Sequence, residues 1–286
     1  MGETLRERWM NRPSFVMAAI GSAVGLGNIW RFPFIAYANG GGAFLIPYFV
    51  ALFTAGIPLM MLECGLGIRM QGASPRALAG TKSKAEWVGW WATLTAFVII
   101  TYYAVVMSWC FNYLFYSFTL EWSGGAKEFF FKDVLKLSTG PGQLSGLVWP
   151  ILIGLLLTWV AVFLIIFKGL GRVGRVVIVT VPLPIILIII LAIRGITLPG
   201  AAEGVNFYLA PDFSKLLNGK VWLEAYGQIF FSLSLAMGIM ITYSSYLPKK
   251  TDITNNAIMI SLANCGTSFL AGFAIFSTLG YLAYVT

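Results

Sequence analysis

Residues 21–33 read Gly-Ser-Ala-Val-Gly-Leu-Gly-Asn-Ile-Trp-Arg-Phe-Pro, and this stretch decides how the chain is built. It lies inside an apolar run over residues 15–37, long enough for a bilayer, which about 20 apolar residues cross. Gly21, Gly25 and Gly27 lower helix propensity. Asn28 and Arg31 are costly in hydrocarbon, and so is any backbone group left unpaired there. Irregular backbone at membrane depth survives only where protein or a water-filled cavity surrounds it. A break of this kind points backbone groups at a solute. The stretch therefore predicts a solute-binding site within the membrane.

The rest of the composition fits that setting. The chain is 58% hydrophobic and 10% charged, against roughly 25% charged in an ordinary soluble domain. It has no histidine, and 19 basic against 11 acidic residues give a net charge of +8. In a soluble chain that excess would point to nucleic acid. Here the basic residues gather in particular loops. Cys64, Cys110 and Cys265 all fall in apolar segments without pairing by spacing, so no disulfide is expected. Residues 1–13 are charged rather than apolar, which predicts no cleavable signal peptide and a first span that acts as its own insertion signal.

Seven apolar segments can be marked, at residues 15–37, 43–68, 87–118, 147–167, 176–193, 222–246 and 257–284. The loops between them sort by charge. Arg6, Arg8 and Arg12, then Arg69, Arg76, Lys82 and Lys84, then Lys168, Arg172 and Arg175, and finally Lys249 and Lys250 occupy alternate connections poor in acid. The other connections balance Lys and Arg with Asp and Glu. The positive-inside rule thus predicts a cytoplasmic N-terminus, and an odd span count puts Thr286 outside. The outer loops, residues 119–145 and 198–220, are expected to hold short surface helices. No Asn-X-Ser/Thr sequon occurs, in keeping with a prokaryotic cell membrane.

The sixth segment is interrupted too, with Gln228, Ser232, Ser234 and Gly238 midway along it. Alone, such serines read as packing residues bonded back to their own helix. Two interrupted spans at matching places in two halves point instead to a transport site at the bilayer midplane.

On these residues the chain resembles the neurotransmitter:sodium symporter family, which includes bacterial leucine and hydrophobic amino-acid transporters. The matching strings are Arg6 with Trp9, the Gly-Leu-Gly-Asn-Ile-Trp-Arg-Phe-Pro signature at 25–33, residues 39–48, residues 56–60 with Glu63, Tyr102-Tyr103, and residues 227–246. The likeness runs over essentially the whole chain. The paired interruption is a pattern known from this same family, so it is not separate testimony. The resemblance implies an all-α, polytopic membrane fold of five-plus-five inverted repeats, with spans 1 and 6 unwound near residues 24–27 and 233–237. Residues 1–200 would be the first repeat, and 201–286 would open the second.

It also implies ligands. Sodium, a hard cation, takes oxygen donors. One site would use the Ala23 carbonyl, the Asn28 and Asn264 side chains, Ser232, and the substrate's carboxylate. A second would use the Gly21 and Val24 carbonyls with ligands from a span outside this chain. The substrate carboxylate would meet the freed amides around Ala23, Gly25 and Gly27 and the Tyr103 hydroxyl. Its ammonium would meet Phe231, Ser232 and Ser234. Amine transporters of the family carry an aspartate where this chain has Gly25, so an α-amino acid is expected. Ile99, Phe231, Ala236 and Met237 would line an apolar side-chain pocket. Two sodium ions with a zwitterion leave buried positive charge, which is expensive. Where chloride-independent relatives place an acid, this chain has Ser268. Tyr48, Gln228, Ser232 and Ser268 are then the expected chloride ligands. Arg31 would be half of the outer gate, with its partner beyond Thr286, and Arg6, Trp9 and Tyr246 would form the cytoplasmic gate. Glu63 is expected to cap freed amides of the broken helices. Read without the family, Asn264 and Ser268 are helix-packing residues and Ile99 is ordinary core.

The expected activity is sodium-coupled, chloride-dependent symport of a neutral amino acid, with no enzymatic chemistry and no nucleic-acid partner. The absence of histidine and of an acidic pair within the spans leaves no metal centre or acid–base pair apparent. A seven-span receptor would need the opposite orientation. The alternative reading is a transport-inactive fragment, because the chain stops directly after an apolar span. It is expected to be the N-terminal part of a longer transporter.

Overall fold

The first helix is capped by its own sequence. The Asn11 side chain accepts from the Ser14 amide at 2.9 Å and the Ser14 hydroxyl accepts from the Asn11 amide at 3.3 Å, a reciprocal cap that satisfies two groups at once. In this computed structural model, which describes residues 7–140, 142–143 and 146–285, helix α1 runs Arg12–Ala23 and ends at an extended Val24. The chain resumes as a π-turn over Gly27–Arg31 leading into α2, Phe32–Ala38, and the two halves are bent by 52°.

The second span is α3 (Gly42–Ala51) and α4 (Ile57–Met70), joined by a second π-turn at Leu52–Gly56. Short α5 (Ser74–Thr81) leads to the long α6 (Glu86–Tyr116), then α7 (Ala126–Glu128) and α8 (Trp149–Ile166). Next come α9 (Leu170–Thr180), α10 (Pro182–Ile196) and α11 (Ala201–Leu209). The sixth segment is split into α12 (Gly219–Ser232) and α13 (Ile239–Ser244), and α14 (Ile253–Val285) completes the order. No strand occurs among the described residues, where Gly41 and Pro211 form an isolated bridge. Among the described residues, five helices are long and apolar enough to cross a membrane, six with the bent α1–α2 pair. The protein is an all-α, multi-pass membrane protein.

The fifth span differs from the sequence expectation. Arg172 and Arg175, read as loop residues, lie within α9. Leu170, Val173 and Val177 recur at helical spacing and pack against the core, while the arginines occupy the other face. Charge had masked an amphipathic helix. The sixth segment is broken between Ser232 and Ile239, as expected, so neither of its halves spans a bilayer alone.

The chain divides into two compact units. The first, Met1–Thr93 with Leu170–Thr286, holds the main core, including Phe15, Phe32, Phe44, Tyr48, Met60, Ile229, Met240 and Ile260. Small residues let its helices touch backbone to backbone, as membrane packing requires. A Cβ on Gly204 would fall 1.9 Å from the Phe276 carbonyl oxygen, and one on Gly67 would fall 2.1 Å from that of Ile241. The second unit, Leu94–Gly169, is held by Gly154 against Ser108 and by an aromatic nucleus of Trp109, Tyr113, Tyr116, Trp122, Phe129 and Phe130.

Candidate functional site

The break in the first span is made by redirected hydrogen bonds. In a continuous helix the Gly25 amide would donate to the Gly21 carbonyl. It donates instead to Asn28 Oδ1 at 2.9 Å, and the Asn28 amide donates to the Gly25 carbonyl at 3.0 Å rather than to that of Val24. The Gly21 and Val24 carbonyls, both expected to face an ion, are thereby relieved of their helical partners. Ala23 closes α1 next to them.

The sixth span breaks by another route. Ser234, Ala236 and Gly238 all adopt left-handed backbone, with φ of 54°, 62° and 71°. Two of them are not glycine, and such strain persists only where surroundings hold it. Glu63 of α4 supplies the hold. Its Oε1 accepts from the Ala236 amide at 2.7 Å, in agreement with the capping role expected for it. That amide would otherwise donate to the Ser232 carbonyl. The second Glu63 oxygen has no hydrogen-bond partner among the described residues.

Between the breaks, Asn28, Ser232, Asn264 and Ser268 converge. Asn28 Nδ2 lies 2.8 Å from Ser268 Oγ, 2.9 Å from Asn264 Oδ1, 3.1 Å from Ser232 Oγ and 3.2 Å from the Asn264 carbonyl oxygen. Asn264 Nδ2 donates to Ser232 Oγ at 2.7 Å. An amide nitrogen has two hydrogens and cannot satisfy four oxygens. The cluster therefore holds unspent acceptor capacity, with no charged side chain among its four members. Carbonyl ends of α1 and α12 terminate beside it, adding negative partial charge.

Tyr48 is fully buried. Its hydroxyl lies beside the Cys265 thiol and Ser268 hydroxyl without a well-aligned bond to either. Gln228 makes two bonds that the sequence does not announce. Its Nε2 donates to the Gly27 carbonyl at 3.3 Å, and its Oε1 accepts from Arg31 Nη1. It thus braces the broken span. Arg31 also lies over the Phe231 ring, 5.0 Å from its centroid. Gly27 likewise has a packing role, since a Cβ there would meet the Phe231 ring at 3.0 Å. Ser234 is buried within the span 6 break, with Met237 half-buried and Ala236 exposed.

Ile99 and Tyr103 lie on α6 in the second unit. Arg6 lies outside the described residues. Trp9 is buried, its indole donates to the Tyr243 carbonyl at 2.8 Å and its ring packs on Tyr243 and Phe15. Tyr243 was not foreseen, and the half-buried Tyr246 follows three residues later. Arg12, read only as a topological charge, donates from Nε to the buried Asn256 Oδ1 at 2.9 Å. A pairing between residues so far apart in the chain leaves no local signal.

Known proteins share this arrangement of sequence and fold. The family described as the sodium:neurotransmitter symporter family matches residues 6–127 and 121–286. An uncharacterised sodium-dependent transporter of Methanocaldococcus jannaschii is 47% identical over 285 residues, covering 98% of this chain and 57% of that protein. The human sodium- and chloride-dependent GABA transporter 2 is 37% identical over 313 residues, covering 99% of this chain and 52% of the transporter. The crystal structure of MhsT in complex with L-phenylalanine matches with a TM-score of 0.84 and 33% identity, over 97% of this chain and 62% of that one. This chain thus spans a little over half the length of the curated relatives named here. With its two broken spans and this coverage, it belongs to the sodium:neurotransmitter symporter family.

Proposed function

We propose that the protein carries a neutral α-amino acid across the cell membrane with sodium, and with chloride as a co-bound anion. The observation that carries this reading is the convergence of four neutral oxygens on Asn28 Nδ2 between two broken spans. Oxygen without net charge suits a hard monovalent cation. In this reading Ala23, Asn28, Ser232 and Asn264 hold one sodium ion, and Gly21 and Val24 contribute to another. The freed backbone at Ala23, Gly25 and Gly27 receives the carboxylate. Phe231, Ser232 and Ser234 receive the ammonium, and Ala236 and Met237 face the side chain. The phenylalanine named with MhsT and the GABA and taurine transporters among the relatives support a small zwitterionic solute.

Chloride is held by Tyr48, Gln228, Ser232 and Ser268, offsetting the charge of the cations. Arg31 gates the outer side, and Arg6, Trp9 and Tyr246 the cytoplasmic side. The basic connections support a cytoplasmic N-terminus, and a repeat boundary near residue 200 belongs to the same reading.

The full gene product in proteoliposomes tests it. Uptake of a labelled apolar amino acid should require an inward sodium gradient and fall when gluconate replaces chloride. Uptake unchanged in potassium would refute sodium coupling. Uptake unchanged in gluconate would refute the anion assignment alone.

A further inference from the structure

Cys265 is buried and free, and the functional reading above gives it no task. A lone buried thiol is ordinarily a small apolar filler. Its neighbours make this one different. Cys265 and Ser268 are three residues apart on α14, so they lie side by side on one helix face. The fully buried Tyr48 hydroxyl lies against both, with no well-aligned hydrogen-bond partner among the described residues. Cys265 also adjoins the Asn264 side chain, and so joins the oxygen cluster to Tyr48.

A count of hydrogens sharpens the picture. Ser268 Oγ accepts from Asn28 Nδ2, which leaves its own hydrogen to give. Ser232 Oγ accepts from both Asn28 and Asn264, with the same result. The Tyr48 O–H and the Cys265 S–H add two more donors. Four buried hydrogens thus gather in one neighbourhood, and a thiol sulfur is too weak an acceptor to satisfy the phenol. Neutral O–H and S–H donors gathered around a buried phenol that lacks a well-aligned partner are groups that an anion beside them can satisfy.

We propose that the Cys265 thiol is a further donor of the anion site and sets its selectivity among halides. This rests on the anion reading under the proposed function. Sulfur is larger than oxygen, and S–H is a weaker donor than O–H. A cage with one thiol wall offers a weaker, softer donor than one built of hydroxyls, so it discriminates little between bromide and chloride. Replacing the thiol by a hydroxyl strengthens that donor, which favours the ion of higher charge density.

The test uses the full gene product, wild type, Cys265→Ala and Cys265→Ser, with chloride or bromide titrated against gluconate at saturating sodium and amino acid. Cys265→Ala should raise the half-saturating chloride concentration about threefold, as loss of one weak donor implies. Cys265→Ser should lower it and shift the bromide-to-chloride ratio towards chloride. Apparent affinities for sodium and amino acid at saturating chloride should stay unchanged. Halide-induced thermal stabilisation of the purified protein gives a second readout that needs no transport. If halides act on the wild type but both variants keep its half-saturation and halide ratio, the role of Cys265 is overturned and the anion reading stands. If no halide affects the wild type in either assay, both fall.

Discussion

The breaks in spans 1 and 6 look alike in outline and are made in opposite ways. At the first, the interrupting residues satisfy themselves. Asn28, three positions past Gly25, accepts the Gly25 amide with its own side chain, and a turn of π-helix restarts the span at Gly27. At the second, Ser234 and Ala236 take left-handed backbone that their own side chains disfavour, and Glu63 of a different span receives the stranded Ala236 amide. The first break is a local motif. The second is held from outside. The difference implies that the span 1 break caps its own freed amide, with Gln228 as an added brace, whereas span 6 depends on staying docked against α4.

The largest test of that contrast lies at the docking surface. A Cβ at Gly67 would fall 2.1 Å from the Ile241 carbonyl oxygen and 2.2 Å from Ser244 Oγ. Gly67→Ala should cost about 3 kcal/mol or more, because backbone cannot move aside in a packed core. Gly65→Ala, on the same helix with its nearest atom at 3.7 Å, should be close to neutral. Thermal melts of detergent-solubilised protein by size exclusion compare the two. Equal behaviour would mean that α4 and α13 are not tightly docked.

Glu63 comes next. Glu63→Ala strands the Ala236 amide and should cost about 2 kcal/mol, within the range for a buried unsatisfied group. Glu63→Gln keeps a carbonyl acceptor and should lose less than about half of that. A Gln variant as damaged as Ala would show that charge, rather than the hydrogen bond to Ala236, supports the second break.

Asn28→Ala removes the local cap of the first break and should cost about 1 kcal/mol. It should also abolish stabilisation by sodium over potassium in the same melts. Asn28→Ala that still responds to sodium would separate the break from the ion site. The smallest expected effect is at Arg12. Arg12→Ala loses the bond to Asn256 and should cost at most about 1 kcal/mol, since the arginine is exposed. A larger loss would mean that α1 relies on span 7 more than on its own cap at Asn11 and Ser14.

The same contrast explains which parts of the site could be read in advance. The span 1 break was placed at residues 24–27, where α1 in fact ends at Ala23 and helix resumes at Gly27. Its cause, glycine and asparagine in an apolar run, is in the stretch itself. Glu63 was legible for a related reason, because an acid inside a span demands a partner. Family likeness groups Asn28, Ser232 and Asn264 as sodium ligands and Ser268 with the chloride ligands, and the structure brings these four side chains together. Arg172 and Arg175 were misplaced because charge was weighted above periodicity. Gln228 bonding Arg31, Trp9 choosing Tyr243, and Cys265 lying against Tyr48 had no local signature at all.

The sequence by itself determined the membrane setting, the series of helices and the places where two spans come apart. In hydrocarbon each helix must satisfy its backbone within its own segment. Whatever interrupts that bonding is therefore written in the segment too. Only the tertiary structure decided which groups take up the released amides and carbonyls. It decided that Ser234 and Ala236 are held left-handed and that two asparagines and two serines from three spans share one buried point. Those outcomes follow from close approach between helices far apart in the chain, set by small residues such as Gly67 and Gly204, and no local pattern encodes them.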